Sequence, residues 1–436
     1  MKRTSLARHA GASPLDPTFA PPGVDERRAF VRDDGRSIGE MSPDENRLVH
    51  GDNLAAMEWL LAEGFGGRVR CAYLDPPYNS GRSFAEYDDA LSDAEWCAMM
   101  RPRIEILRDL LADDGALFVE IDDTMLAPLH ALLDGSFGRA NRVSTVTIVR
   151  SASTGHKAIN AGPVNVSDFL LVYAKSKPRW KPSPLARERR GYDRAYGRFV
   201  PNRGEPIEAW RFESLRAHAI ASLGYASASA ARAHLGADRL SREVEAFALA
   251  NADRVVRFAQ PRLEAVSLEA QALIARSKRE PGATFRLLRA GYKDMILRAG
   301  NRVLFLGDKV RKKKGGSAVL VEPLTNVWDD VPFQGIAREG GVVFSRNKKP
   351  ERLVERVLAM ASKEGDWVID PFLGSGTTAA VAHKMGRRWI GIERGAQIET
   401  MCLPRLARVV RGEDAGGITR ARGWGGGGGF GVYAAP

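Results

Sequence analysis

Short apolar runs alternate with helical patterns over the first 180 residues of the chain. Compact runs of strand-favouring residues occupy positions 47–50, 71–75, 116–121 and 169–174. Between them, apolar side chains recur every three or four positions over 54–62, 93–111 and 124–133. Strands that alternate with helices in this way predict a largely parallel sheet covered by helices.

The pattern changes after residue 180 and changes back after residue 302. Over 181–300 the compact runs vanish, and stretches rich in Ala, Leu, Arg and Glu predict helices, notably over 240–258 and 261–279. Strands are predicted again at 303–306, 367–370 and 388–392, with helices at 350–362 and 378–385. The last strand–helix–strand unit is too short to build a sheet alone, so 181–300 is expected to interrupt a single sheet.

The composition is that of a globular protein, and its basic charge favours a polyanionic partner such as nucleic acid. The 436 residues are 44% hydrophobic and 27% charged, and no apolar run reaches the ~18 residues that a membrane span needs. The formal net charge is +12, and 181–300 alone holds 22 basic and 13 acidic residues. Aromatic residues lie among these arginines, which suits contact with phosphates and bases; an ordinary helix-rich domain with buried aromatics would have the same composition.

Cysteine and histidine usage gives no support for a metal centre or a disulfide framework. Cys71, Cys97 and Cys402 are widely spaced, and the seven histidines show no ligand pairing. Residues 1–23 lack the continuous apolar core of a secretory signal. A cytoplasmic protein with no bound metal and no membrane partner is therefore expected.

The tetrapeptide Asp75-Pro76-Pro77-Tyr78 follows directly on a predicted strand. Neither proline has a backbone N–H and both have a fixed φ, so the loop is rigid and offers acceptors without competing donors. The Asp75 carboxylate and the Pro76 carbonyl can each accept one N–H of an exocyclic amino group, and Tyr78 offers a flat face for a ring. An Asp-capped proline turn is the structural alternative.

A glycine-rich turn, 370–379, joins a predicted strand to a predicted helix. Gly374 and Gly376 allow close approach of a ligand, and Glu393, at the end of the next strand, can bind two ribose hydroxyls, so a nucleoside-type cofactor is predicted. The spacing also fits G-x-G-x-x-A, which keeps a nicotinamide oxidoreductase open, although Asp370 favours a cationic ligand over a pyrophosphate. No Gly-Lys-Ser/Thr follows, so a P-loop is excluded.

These two motifs resemble those of the amino-methyltransferases of DNA, which carry D-P-P-Y for catalysis and F-x-G-x-G for S-adenosylmethionine. Their order, with the large insertion between them, is similar to the beta class, in which the insertion is the target-recognition domain. Further motifs resemble those of type III modification subunits: Phe84-x-x-Tyr87-x-Asp89, Glu120-Ile-Asp-Asp123, Asn326-Val-Trp-Asp-Asp330 and Lys349-Pro350. The likeness covers roughly 46–180 and 320–395.

The resemblance implies a role for each site residue. The catalytic residues would be Asp75, Pro76, Pro77 and Tyr78. The cofactor would be bound by Asp52, Asp370, Phe372, Gly374, Gly376, Thr377 and Glu393. Asp52 would contact the adenine ring of the cofactor, with helix capping as the alternative role. Helix capping is the expected role of Asn53. Capping is also favoured for Asp122 and Asp123, and Lys348 and Lys349 are open to interpretation as a solvated basic pair.

The expected fold is α/β: a Rossmann-like S-adenosylmethionine-dependent methyltransferase domain with a mixed, mostly parallel seven-stranded sheet and a helix-rich inserted target-recognition domain. The strands ending at Asp75 and Asp370 should be neighbours, so that amine and cofactor meet at the switch point between them. The predicted segments are a flexible N-terminal arm (1–43), a catalytic half (44–180), a basic inserted target-recognition region (181–320), a cofactor-binding half (321–410) and a flexible glycine-rich tail (411–436).

The implied activity is transfer of a methyl group from S-adenosylmethionine to the N6 amino group of an adenine flipped out of double-stranded DNA. Aspartate at the first motif position favours adenine on resemblance alone, so a cytosine-N4 methyltransferase stays an alternative. A nicotinamide oxidoreductase would leave 75–78 unexplained, and a non-catalytic DNA-binding subunit would retain every motif residue. A restriction subunit and a second copy of the chain are the further partners that the family suggests.

Overall fold

The computed structural model describes residues 29–39, 42, 44–79, 91–151, 163–189, 191–312, 316, 318–342 and 348–435. The chain divides into two compact units, Met1–Ser183 with Thr325–Pro436, and Pro184–Leu324. The second unit thus interrupts the first in sequence, close to the predicted 181–320. The predicted motif residues Phe84, Tyr87 and Asp89, and positions 1–28 of the predicted arm, lie outside the described residues.

The first unit begins with strands and helices in alternation. Its strands are β1 (Val31–Ile38), β2 (Asn46–His50), β3 (Val69–Leu74), β4 (Leu111–Ile121), β5 (Arg142–Val149) and β6 (Ser167–Ala174). Its helices here are α1 (Asn53–Ala62), α2 (Asp93–Leu110) and α3 (Leu126–Phe137). Ser92 and Glu95 form a reciprocal capping box that starts α2, because their side chains bond each other's backbone N–H groups.

The inserted unit contains strands as well as helices. Its strands are β7 (Ala186–Glu188), β8 (Arg198–Phe199), β9 (Glu213–Ser214), β10 (Val255–Ala259), β11 (Thr284–Leu287), β12 (Met295–Arg298), β13 (Asn301–Phe305), β14 (Val310–Lys312) and β15 (Ala318–Pro323). Its helices are α4 (Leu215–Ser222), α5 (Ala228–Leu235), α6 (Ala237–Ala250) and α7 (Leu268–Arg279). Within the described part of this unit, two antiparallel sheets run in the orders β11-β12-β13-β10-β8-β9 and β14-β15-β7.

The prediction that strands vanish over 181–300 is therefore wrong. The helix predicted over 240–258 ends at Ala250, and the residues after it form β10. The helix predicted from residue 261 begins only at Leu268. These strands are two to five residues long and most contain an arginine, so they lack the compact apolar runs by which strands were recognised.

The first unit resumes after the insertion. Its remaining strands are β16 (Val327–Trp328), β17 (Trp367–Asp370), β18 (Arg388–Glu393) and β19 (Phe430–Ala434). Its remaining helices are α8 (Glu351–Ala361), α9 (Thr377–Lys384), α10 (Leu403–Arg411) and α11 (Thr419–Arg422), and a π-helical turn, Ile398–Cys402, leads into α10.

Ten strands of the described residues form one mixed sheet, in the order β1-β19-β2-β18-β17-β3-β4-β6-β5-β16. Neighbours from β19 to β4 are parallel, whereas β6 is antiparallel to β4 and β5, and β1 is antiparallel to β19. The mixed α/β architecture agrees with the prediction, but seven strands is wrong. Strands β1, β5, β16 and β19 escaped prediction because β1 and β5 are rich in polar residues, β16 has only two residues and β19 follows a run of glycines.

The predicted flexible tail, 411–436, is also corrected. Its end forms β19, which pairs with β2 on one side and β1 on the other, and Phe430 and Val432 are fully buried. Gly426, Gly427 and Gly428 have φ values of 99°, 118° and 73°, so these glycines carry the chain around a turn into the sheet. The described end of the predicted arm, 1–43, is corrected likewise because it holds β1.

The centre of this sheet places the two sequence motifs side by side. Strand β3, which precedes Asp75, is the parallel neighbour of β17, which ends in Asp370, as the sequence predicts. Helices α1, α2 and α3 bury apolar side chains in one continuous core with β3 and β4. In the part of the chain that is described, no helix is long and apolar enough to cross a membrane.

Candidate active site

A cavity of about 380 Å³ lies at the carboxyl edge of the central strands. Eight predicted site residues line it: Asp52, Asp75, Pro77, Asp370, Phe372, Gly374, Thr377 and Glu393. Among the described residues, Pro76, Tyr78 and Gly376 are predicted site residues outside this lining, and Pro76 is buried. The fold therefore brings a carboxylate after one strand and a glycine turn after its neighbour to one cavity.

The loop after β3 is held by contacts on both sides. The Trp96 indole Nε1 donates to the Pro77 carbonyl at 2.8 Å, and the Leu91 N–H donates to Asn79 Oδ1 at 2.9 Å. Asn79 has a φ of 55°, in the left-handed region that asparagine tolerates better than most residues. These contacts hold the path of the loop and, with it, the position of Asp75.

The buried ammonium group of Lys349 lies at the centre of the polar contacts around Asp75. Its Nζ is 3.1 Å from Asp75 Oδ1 and 2.8 Å from Glu120 Oε1, and it donates to the Tyr78 hydroxyl at 2.6 Å. The second oxygen of Glu120 accepts the Tyr73 hydroxyl at 2.6 Å. The interpretation of Lys348 and Lys349 as a solvated pair is wrong, because both residues are less than 10% exposed.

Burial and neighbouring charges shift the ionisation of this cluster. Burial raises the pKa of Asp75 to about 6; the Lys349 cation opposes the rise and Glu120 adds to it. Burial also raises the pKa of Asp168 to about 7, against the cations of Lys349 and Arg150, whose Nε lies 3.0 Å from Asp168 Oδ1. Burial disfavours the charge of Lys349, yet the surrounding carboxylates raise its pKa above the ordinary value.

The glycine turn after β17 is held by carboxylates at its two ends. Asp370 Oδ1 accepts the Phe372 N–H at 2.9 Å, and Glu393 accepts the N–H groups of Gly374 and Gly395, each at 2.8 Å. Burial raises the pKa of Asp370 to about 7, although its hydrogen bonds with Thr378 and Phe372 favour the anion. Each carboxylate oxygen has two lone pairs, so Glu393 keeps acceptor capacity for a ligand.

A buried ionic network lies beneath this turn. Arg405 Nη1 donates to Thr377 Oγ1 at 2.7 Å, and its Nη2 donates to Glu351 Oε1 at 2.8 Å. Lys384 Nζ bonds both oxygens of Glu351, at 2.9 and 2.8 Å, and lies 2.7 Å from Asp414 Oδ2. The network ties α8, α9 and α10 to the residues after α10, and it fixes the Thr377 hydroxyl from behind.

The capping predictions are corrected in detail. Asp52, not Asn53, is the N-cap of α1, because its Oδ1 accepts the N–H groups of Leu54 and Ala55 at 2.9 and 3.2 Å. Its Oδ2 lies 3.1 Å from Arg103 Nη2. Asn53 instead donates to the Pro371 carbonyl at 2.8 Å and so links α1 to the glycine turn.

The cap predicted at Asp122 and Asp123 is not a helix cap. Helix α3 begins at Leu126, and its N-cap Met125 makes no side-chain capping bond. Asp122 instead closes a turn by accepting the Thr124 N–H at 3.0 Å.

Sequence reasoning missed the charged residues around Asp75. Glu120 and Asp168 are at most 1% exposed, and each interrupts an apolar strand. A carboxylate within a buried strand needs a buried partner, and this was the available signal. The partner itself could not be found from spacing, since Lys349 lies 229 positions from Glu120. Within the described residues, no group of three or more His, Cys, Asp or Glu side chains is arranged to hold a metal ion.

Comparison with known proteins gives one family. Residues 69–402 match the profile of the N6 and N4 methyltransferase family described as DNA methylase. The chain is 31% identical to the "Probable type III restriction-modification enzyme HindVI Mod subunit" of Haemophilus influenzae, over 96% of this chain and 58% of that protein. It is 25% identical to the type III restriction-modification enzyme StyLTI Mod subunit of Salmonella typhimurium, over 79% of this chain and 50% of that protein.

The chain thus spans about half the length of these two curated relatives. Among solved structures, it is similar to the M1.HpyAVI–SAM complex with 12% identity and a TM-score of 0.38, over 83% of this chain and 98% of that chain.

Proposed function

The chain belongs to the DNA methylase family, and on that premise we propose that it methylates the N6 amino group of adenine in double-stranded DNA. The cofactor is S-adenosylmethionine, which when bound supplies a methyl group on a cationic sulfur. The residues at the glycine turn fit this cofactor, because Asp370 and Glu393 present acceptors for hydroxyl groups and negative charge for a cationic centre.

The observation that carries the proposal is the adjacency of β3 and β17. It supports a reaction in which an amine held by Asp75 and a donor held at the glycine turn share one cavity. A nicotinamide oxidoreductase has no use for a carboxylate and two prolines at this position, and the family match argues against it.

The proposed chemistry needs acceptors more than a strong base. The amino nitrogen of adenine is weakly nucleophilic because its lone pair is delocalised into the ring. Asp75 and the Pro76 carbonyl would each accept one N–H, which favours a pyramidal nitrogen and stabilises the positive charge that develops there. The bound cofactor would supply the methyl group, with its neutral thioether as the leaving group, and Asp75 or water would take the proton that the methylated nitrogen loses.

The inserted unit supports DNA as the substrate. Residues 184–324 hold 27 basic and 15 acidic residues, whereas the remainder of the chain holds 38 of each. The whole net charge of +12 therefore belongs to the insertion. We propose that this unit recognises the target sequence and binds the duplex backbone while the adenine is rotated out of its stack.

Two partners remain proposals. The relatives of this chain are named as Mod subunits of type III restriction-modification enzymes, and this supports a restriction subunit as a partner. A homodimer is the second, and light scattering of the purified protein, alone and with such a subunit, tests both.

The experiment that tests the function incubates the protein with double-stranded DNA and methyl-labelled S-adenosylmethionine, followed by single-molecule sequencing of the product. We expect N6-methyladenine in one sequence context. Methyl groups on cytosine N4 would instead identify the alternative enzyme, and DNA binding without any label transfer would indicate a non-catalytic subunit.

A further inference from the structure

We propose that Lys349 is a positioning residue that holds Asp75 and Tyr78 in their reactive arrangement. The inference rests on the proposed methyl transfer, and it assigns a second task at the same site to a residue outside both sequence motifs.

The first argument is the match between donors and acceptors. An ammonium group has three N–H donors, and Lys349 Nζ has three oxygen atoms within bonding distance: Asp75 Oδ1 at 3.1 Å, Glu120 Oε1 at 2.8 Å and the Tyr78 hydroxyl at 2.6 Å. Two of these oxygens belong to the loop that is proposed to bind the target base. A single side chain therefore fixes both ends of that loop.

The second argument is that Glu120 gives Lys349 a rigid support. Glu120 lies in β4 with no exposed surface, and its other oxygen is bonded by Tyr73 in the neighbouring strand β3. Lys349 itself lies two residues before α8, in the part of the first unit that follows the insertion. The lysine consequently joins the glycine-turn half of the sheet to the Asp75 half.

The third argument is energetic. Replacement of a buried ion pair by apolar residues of similar size is often neutral or stabilising, so a lysine buried among carboxylates is not explained by stability alone. At this site the charge has a further consequence, because the Lys349 cation is the strongest influence that opposes the burial of Asp75. Loss of that cation would move Asp75 toward its neutral form, which cannot take the amine proton.

All charged neighbours of Asp75 must be counted in this balance. Glu120 and Asp168 add negative charge, Tyr78 bonds Asp75 and favours its anion, and Asp370 interacts with it from β17. Arg150 faces Asp168 rather than Asp75. Among the described residues, Lys349 is thus the cation in direct contact with Asp75, and its removal leaves the burial of the Asp75 charge opposed by hydrogen bonding alone.

The test is Lys349→Met, which keeps an unbranched side chain one atom shorter and removes the charge and the donors. We expect the single-turnover methylation rate to fall about 100-fold, as for a reacting group displaced by about 1 Å. The affinity for S-adenosylmethionine should stay within about threefold, and the acidic limb of the rate–pH profile should move upward by about one pH unit.

Two companion variants separate charge from geometry. Lys349→Arg keeps the cation but not the three-way geometry, so the rate should fall while the acidic limb stays near its wild-type position. The double variant Lys349→Met with Glu120→Gln also removes a carboxylate that raises the pKa of Asp75, so its acidic limb should return toward that of the wild type.

The matched control is Lys384→Met, which removes another buried lysine bonded to carboxylates. It should lower the melting temperature and leave the acidic limb in place. A wild-type protein that transfers no methyl group would defeat the proposed function itself. If the wild type is active, an unchanged rate and an unchanged acidic limb of the rate–pH profile in Lys349→Met would overturn the positioning role. If that variant does not fold, a shifted acidic limb in Lys349→Arg would overturn it equally.

Discussion

Asp75 shows how burial and charge together set the state of one side chain. It is the first residue beyond β3, it lines the cavity, and burial raises its pKa to about 6. The proposed role, which is to stabilise the positive charge that develops on nitrogen and to take its proton, requires the anion.

Asp75→Ala should reduce methyl transfer by at least about 100-fold, because it removes an acceptor aimed at the charge that develops on nitrogen. The affinity for S-adenosylmethionine should change by less than about threefold, since the glycine turn is untouched. Calorimetric titration of the cofactor beside a label-transfer assay measures both. Equal loss of binding and transfer would contradict the assigned role.

The pH dependence follows from the raised pKa of Asp75. Above about pH 6 Asp75 is the anion, which stabilises the positive charge on nitrogen and can take its proton. Below about pH 6 the neutral acid does neither, so the rate should fall as pH decreases through about 6. Burial raises the pKa of Asp370 as well, to about 7, so rates must be measured at saturating cofactor to isolate Asp75. A rate that is flat from pH 7 down to pH 5 would contradict this assignment.

The glycine turn depends on positive φ values, which residues other than glycine adopt only at a cost in free energy. Gly376 has a φ of 78° and precedes α9, and an added Cβ would lie an ordinary 3.5 Å from the Cα of Cys402. A side chain at this position is therefore disfavoured by the positive φ and not by a steric clash.

Gly376→Ala should cost about 1–2 kcal/mol of strain and weaken cofactor binding about tenfold. Gly365→Ala is a matched control, because Gly365 has a φ of 80°, open space where its Cβ would lie and a position outside the glycine turn 370–379. Both variants should lower the melting temperature similarly, and only the first should lose affinity in cofactor titrations. Equal affinities would argue that the turn does not hold the cofactor.

Strand β19 makes the C-terminal segment part of the main sheet. Phe430→Ala should destabilise the protein by about 3–5 kcal/mol, since it empties a fully buried site. Val31→Ala, in the adjacent β1, removes a side chain that is 56% exposed and should change stability by at most about 0.5 kcal/mol. Denaturant melts compare the two, and equal effects would contradict the burial of β19.

The net charge of the molecule is divided unequally between its two units. The insertion holds the entire net charge of +12, and the rest of the chain holds equal numbers of basic and acidic residues. DNA affinity should therefore fall steeply with salt, by about 10³ between 50 and 200 mM if six phosphates are neutralised. Fluorescence anisotropy over a salt series measures the slope, and an affinity independent of salt would contradict a role for the insertion on the phosphate backbone.

The sequence determined what depends on local pattern. The alternation of apolar runs and helical periods fixed the α/β class, and the positions of Asp75 and Asp370 directly after strands placed both motifs at one edge of a parallel sheet, because such strands end together. The interruption between the motifs likewise followed from a change of pattern, and the unit observed is Pro184–Leu324.

Only the tertiary structure decided which distant groups meet. A glycine-rich end reads as mobile until β1 and β2 are seen to supply its hydrogen-bonding partners. Lys349 reads as a solvated charge until Asp75 and Glu120 surround it. In both cases the stabilising interactions are made with partners hundreds of positions away in the sequence. Whether those partners come close depends on the order of the strands in the sheet, and the spacing of residues does not determine that order.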